Sequence, residues 1–353
     1  MNARDAGAES VSMISATGPR RQTAVDAIGL VLVGAAIGWT LRGAGGVSDG
    51  AWPLVALYAG AAGAYLAGRA VGALIPALLL AVLVTASLWV AWLSITDWMR
   101  DGRMDRPFGY PNAQAGFFAL MVVASLMLAS VSGRRLLRAV GFVLALGFAG
   151  VVLLSGSLAA SILLVFPLMA LAVRRQNRWY ASGGAILVVL ALAGTIALGL
   201  GYTRSESSEP GSGLSSLLTE RRVALWSDAL VIMKESPLNG VGLGRFGLES
   251  PTARSDRDAR WAHNDFLQMG AETGIIGLLL LLAVFLWGLF RLAIGPVHAP
   301  AVALGAAALT ALGIHASVDY VLRFPALPLV TAGLLGTAVA LANAPNPGVG
   351  SDP

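Results

Sequence analysis

The stretch Gly274 to Ile294, GIIGLLLLLAVFLWGLFRLAI, holds a single charged residue, Arg291. At helical rise it covers the hydrocarbon thickness of a bilayer, which takes about 20 apolar residues. Similar stretches recur at Ala24 to Leu41, Ala51 to Ala67, Ala70 to Leu93, Ala113 to Val131, Ala139 to Leu154, Ser157 to Val173, Tyr180 to Leu200, Ala301 to Val318 and Leu327 to Leu341. They predict an all-α, polytopic transmembrane bundle of about ten spans, with the lipid bilayer as its first partner. Composition agrees: 56% of the 353 residues are hydrophobic and 12% charged, against about 25% charged in soluble proteins. The net charge of +5 is dispersed over short turns instead of forming a basic stripe, which argues against a nucleic-acid partner. With no Cys, disulfides, thiolate nucleophiles and Cys-ligated metals are excluded.

The even span count puts both termini on one side. Arg20, Arg21, Arg69, Arg134, Arg135, Arg138, Arg174, Arg175, Arg178 and Arg291 fall in the tail and turns of that side with no Asp or Glu among them, which makes it cytoplasmic by the positive-inside rule. Residues 1–22 lack the apolar core and cleavage site of a signal peptide and read as a tail. The expected organisation is a cytoplasmic tail 1–23, about seven spans over 24–200, a non-cytoplasmic loop 201–272, about three spans over 273–344 and a second tail 345–353.

The loop carries the chemistry. Tyr202 to Ser216 is rich in Ser, Gly, Glu and Pro, a linker composition. Leu214, Leu217, Leu218, Leu225, Ala229 and Ile232 then recur at amphipathic helical spacing up to Pro237, with Arg222 and Trp226 one turn apart. The run Pro237 to Gly247 contains a formal G-x-G-x-x-G but lacks the strand before it that a dinucleotide site needs. It reads either as a turn permitting close backbone approach or as an anion-binding nest beside Arg245. Asp256-Arg257-Asp258 is interleaved with arginines and reads as a solvated charge run, so no metal site is expected. His263 lies in Trp261-Ala-His-Asn-Asp-Phe-Leu-Gln268 beside the membrane, where a near-neutral imidazole suits a general base.

Arg222-x3-Trp226, Pro237-x2-Gly240-x-Gly242, His263-Asn264-x-Phe266-Leu267-Gln268 and Glu272-x-Gly274-x2-Gly277 together resemble the O-antigen ligase and polymerase family of bacterial inner-membrane glycosyltransferases of the C type. Phe108-Gly109-x-Pro111-Asn112 and His315-x3-Asp319 extend the resemblance. It implies a periplasmic active loop and a donor glycan on undecaprenyl diphosphate. The acceptor would be a hydroxyl of lipid A-core, another glycan or a protein. On this reading His263 is the base, Arg222 and Arg245 hold the diphosphate, and Asn264, Trp226, Asn112, His315 and Asp319 support substrate or structure, with no cofactor or metal and with inversion at the sugar. His315 and Asp319, one turn apart, are expected to pair with each other, and His298 to lie solvated in a cytoplasmic turn. Leu158 follows Ser155-Gly-Ser157 where many relatives carry an arginine, which keeps repeat-unit polymerase as the alternative to ligase. A transporter or flippase is the rival of another class, and charges clustered at mid-membrane would favour it.

Overall fold

The computed structural model describes residues 3–43, 51–172, 177–202, 220–255, 259–294 and 300–343. It is an all-α bundle. The helices are α1 (Ala3–Gly43), α2 (Trp52–Leu74), α3 (Pro76–Asp101), α4 (Pro111–Val131), α5 (Arg135–Leu154), α6 (Leu158–Leu163), α7 (Val165–Ala172), α8 (Asn177–Leu200), α9 (Glu220–Glu235), α10 (Phe246–Glu249), α11 (Pro251–Ser255), α12 (Asp265–Ala293), α13 (Pro300–Val318) and α14 (Ala326–Ala342). Among the described residues eight helices are long and apolar enough to cross a membrane, and two shorter apolar segments, Leu158–Ala172 and Ala326–Ala342, fill the remaining expected places.

α4 and α13 form the centre, each with 89% of its apolar window buried, while α3, α5 and α8 bury only 28%. The outer helices turn Leu78, Val82, Trp89, Leu146 and Leu190 outward. An apolar exterior on this scale suits lipid as its solvent. Tight contact inside the bundle relies on small residues, which let backbones approach where no water drives them together. A β-carbon on Gly68 of α2 would collide with the Gly333 carbonyl of α14, and one on Gly336 with the Tyr65 carbonyl of α2.

Three boundaries differ from expectation. The turn placed between Ala67 and Ala70 lies instead at Ile75, because Pro76 opens α3 and pushes the residue before it out of helical geometry. Arg69 is therefore on a helix, where it pairs with Asp26. Arg291 of α12 donates from Nε to the same carboxylate at 2.7 Å, and the Tyr65 hydroxyl donates to it at 2.6 Å. Asp26 stands four residues inside the apolar span Gln22–Arg42 of α1, Arg69 five residues from the end of α2 and Arg291 two from the end of α12, so the charges lie toward the ends of their spans and not at mid-membrane. The sixth span is broken at Leu164 into α6 and α7.

The third difference matters most. α12 begins nine residues before Gly274, and Gly274 is a break inside it, with φ 77° and ψ 177°. Three carbonyls of the turn before the break are met from outside the helix. Val241 N–H donates to Ala271 O, Gly242 N–H to Glu272 O, and the Trp39 indole to Thr273 O; Ile275 N–H turns to Pro237 O. Gly240, at φ 63°, sits where a β-carbon would strike the Glu272–Thr273 peptide. The glycine run is thus a plug for a broken helix, with close approach as the reason for its glycines.

Gly336→Leu should force α2 and α14 apart. Overpacking of this kind costs about 1–3 kcal/mol, so the detergent-solubilised variant is expected to melt several degrees below wild type by scanning fluorimetry. An unchanged melting temperature would show that the helices do not meet there.

Candidate functional site

Asp319, the residue after α13, is fully buried. A carboxylate out of water must be paired or hydrogen-bonded, and five groups from four parts of the chain converge on it. The His263 Nδ1–H donates to Oδ1 at 3.0 Å. Asn112 Nδ2 donates to Oδ2 at 2.6 Å, and the Tyr110 hydroxyl stands 2.8 Å from both oxygens. Arg222 approaches Oδ2 at 3.4 Å and also donates to the Val318 carbonyl at 3.1 Å. The Tyr320 N–H completes the set at 2.9 Å. Pro111 at the first helical position of α4 and Gly109 at φ 71° deliver Tyr110 and Asn112, which gives the Gly-x-Pro-Asn stretch its physical role.

Burial alone would raise the Asp319 pKa. The His263 hydrogen bond and the Arg222 charge, joined by His263 and His315 whenever those rings are protonated, overcome it and hold the carboxyl well below the usual carboxylate range. An ionised carboxylate only accepts. Nδ1 of His263 is therefore the donor, which leaves Nε2 of the neutral ring as a base. Burial first, then the Asp319 charge, push the Tyr110 hydroxyl up, so it stays a donor.

His263 has φ 49°, the one described non-glycine residue in the left-handed region. That geometry persists only when its surroundings impose it. Trp226, buried in α9, donates from Nε1 to the His263 carbonyl at 3.1 Å. Gln268 Oε1 accepts from Ala262 N–H at 2.9 Å. Asn264 caps α12 by accepting from Leu267 N–H at 3.0 Å, while its Nδ2 donates to Thr195 Oγ1 and to Ser317 O. The Tyr320 ring meets the imidazole edge-on, centroids 4.8 Å apart. The side chain of His263 is 16% exposed, whereas Asn264 is wholly buried.

Arg222, His263, Asn112, Asp319, Trp226 and Asn264 are therefore one constellation. Two other candidates stand apart. Arg245 pairs with Glu249 at 2.8 Å on the surface, and the nest N–H groups of Val241 and Gly242 are spent on α12. His315 is not the hydrogen-bonding partner of Asp319; it is buried against Gly116 with Nε2 unpartnered, because the kink after α13 turns the carboxylate toward α4 and α9. Asp256, Asp258, His298 and Leu214, Leu217 and Leu218 lie outside the described residues. Leu158 opens α6 with its side chain outward. Among the described residues no three His, Asp or Glu side chains converge as a metal site would require.

Tyr110, Tyr320, Trp261 and Arg323 were not legible as site residues. The Arg323 guanidinium lies 3.3 Å from the Trp261 ring centroid and 3.9 Å from Glu272. Burial lowers its pKa, against the raising charges of Glu272, Asp265 and Tyr320. An aromatic and an arginine within four residues of Asp319 were the available signal.

The family described as O-antigen ligase matches residues 140–282. The stretch includes α8, α9, the glycine plug, His263 and the α12 break. No curated protein and no solved structure matches the chain.

Because Asp319 is depressed in the folded state, its contribution to stability is complete above the unfolded carboxylate pKa, about 4. It is lost as pH falls toward the folded value. The melting-temperature gap between wild type and Asp319→Asn should narrow as pH falls below about 4. A gap that widens below that pH would contradict an ionised, paired Asp319.

Proposed function

We propose that this member of the O-antigen ligase family moves a glycan from undecaprenyl diphosphate to an acceptor hydroxyl at the periplasmic face of the bacterial inner membrane. Support for a ligase or polymerase type of glycosyltransferase comes from the family match. The single observation that carries the chemistry is the His263–Asp319 pair at 3.0 Å with Arg222 on the same carboxylate.

In the proposed step the acceptor oxygen attacks the anomeric carbon and its proton passes to His263 Nε2. The bond from that carbon to the diphosphate oxygen breaks on the opposite face, so the configuration inverts. The electron pair leaves with the diphosphate, whose charge Arg222 stabilises through a guanidinium held in place by Val318 O and Asp319. Asp319 keeps the imidazole in the tautomer with a free Nε2 and stabilises the imidazolium that forms, the task a buried carboxylate performs in other His-based catalysts. The lipid chain of the donor remains in the bilayer while its phosphates lie at the surface, beside α9. Repeat-unit polymerisation is the second reading, favoured by Leu158 in place of the family arginine. Lipid-linked products of a deletion strain separate the two, since a missing ligase abolishes acceptor-linked long glycan and a missing polymerase leaves single repeats.

His263→Ala in correctly inserted protein should lower glycan transfer by about 100-fold or more, as removal of a general base does. Full activity would remove it from the mechanism. Arg222→Lys keeps the charge but not the planar fork, so a marked rise in donor KM or fall in kcat is expected. Wild-type kinetics would reject bidentate phosphate pairing.

A further inference from the structure

A cavity of about 460 Å³ lies between α1, α2, α12, α13 and α14, away from the constellation on Asp319: His263, Arg222 and Asp319 are not among its lining residues. Its walls are apolar, with Leu57, Ala61, Leu281, Val284, Ala332 and Leu335 along its length. Asp265 and Trp287 both line it, 22 residues apart and on opposite sides of the break in α12 at Gly274. α1 crosses it as a strap tied at both ends. The Trp39 indole holds Thr273 O at 2.8 Å at one end, and the Trp287 indole holds Val25 O at 2.7 Å at the other, beside the Asp26–Arg291 pair. Gly29, Leu30 and Val33 line the cavity between the ties.

The end nearest His263 is polar. Asp265, Gln268, Glu272 and Arg323 line it, and Asp265 is two residues beyond His263. Gln268 donates to Glu272 Oε1 at 2.9 Å, and the Leu322 N–H donates to Asp265 Oδ2 at 2.8 Å. Two carboxyl groups face one guanidinium. With both ionised the rim is net negative, and with Asp265 protonated Glu272 still cancels Arg323. A phosphate finds no excess positive charge here, whereas hydroxyl groups find carboxylate acceptors and the Gln268 amide.

We infer that this cavity seats the hydrocarbon chain of a neutral, hydroxyl-headed lipid, a glycolipid, whose sugar lies on the Glu272–Arg323–Trp261 rim. The inference rests on the transferase reading in one respect: there the occupant is the lipid-anchored acceptor, approaching His263 from the side opposite the donor diphosphate at Arg222. The acceptor is then neither a protein nor a soluble sugar. A rim with two carboxyl groups against one guanidinium, and so without excess positive charge, selects this occupant over a phosphate-headed isoprenoid.

The test uses the full chain in phosphatidylcholine nanodiscs with two photoreactive probes of equal chain length, an alkyl glucoside and an alkyl phosphate, and maps the cross-links by mass spectrometry. The glucoside should label residues of α2, α12 and α14 that line the cavity, saturably and more than the phosphate does. Ala61→Trp and, independently, Leu57→Trp should abolish those labels. Ala56→Trp on the lipid face of α2 should leave them unchanged. Phosphate labelling equal to or stronger than glucoside labelling overturns the inference, as does cavity labelling that persists in both filled variants. Labelling needs no turnover. A protein that labels as expected but transfers nothing therefore sinks the transferase reading and leaves this site standing, while one that transfers but does not label sinks this inference alone.

Discussion

A carboxylate with no exposure to water is a demand on everything around it. Transfer of an unpaired carboxylate into a low-dielectric interior is so costly that the group must be neutralised or fully hydrogen-bonded. At Asp319 the demand is met by Tyr110 and Asn112 from the start of α4, Arg222 from α9, His263 from the segment before α12 and the Tyr320 backbone. Those elements are far apart in sequence and would otherwise have no reason to meet at one point. The orientation of the imidazole, the placement of the guanidinium and the packing of α4 against the kink after α13 all follow from satisfying one residue.

The second constraint is the broken α12. A helix interrupted at Gly274 releases carbonyls that lipid cannot satisfy. The glycine run from Pro237 and the Trp39 indole of α1 supply the donors. This ties the loop that precedes His263 to the membrane helix that follows it, and sets the entry of α12 from Asp265. Asn264 and Gln268 then fasten the short connection, so His263 is presented in a left-handed conformation by an Asn cap and the Trp226 indole. The rigidity of the imidazole is assembled from backbone accounting, with few side-chain contacts to the ring itself.

Much of this was legible in the sequence because lipid enforces it. Apolar length alone revealed the helices, but the Asn-Asp-Phe-Leu-Gln run after His263 read as loop up to Gly274, whereas α12 already begins at Asp265. Boundaries misled where a proline or glycine acted inside an apolar stretch, as at Pro76 and Gly274, since hydropathy does not register a break that keeps its hydrophobicity. The partner of Asp319 was misread for a different reason. Spacing along a helix points to His315 one turn away, but Asp319 stands just past the end of α13, where the chain turns and helical spacing no longer sets direction. Tyr110 and Arg323 join their surroundings through tertiary contacts with no sequence period behind them. Arg245, conversely, looked available because Glu249 one turn on was not weighed as its partner.

The proposed chemistry depends on His263 being held as the Nδ1–H tautomer by Asp319. The chain has three histidines, so selective ¹⁵N labelling of the side chains, with His263→Ala to assign the signal, reads that tautomer directly by nuclear magnetic resonance under conditions where the ring is neutral. A protonated Nδ1 and an unprotonated Nε2 are expected in the wild type, with that preference lost in Asp319→Asn. A wild-type His263 protonated on Nε2, or one whose tautomer is indifferent to Asp319, would contradict it.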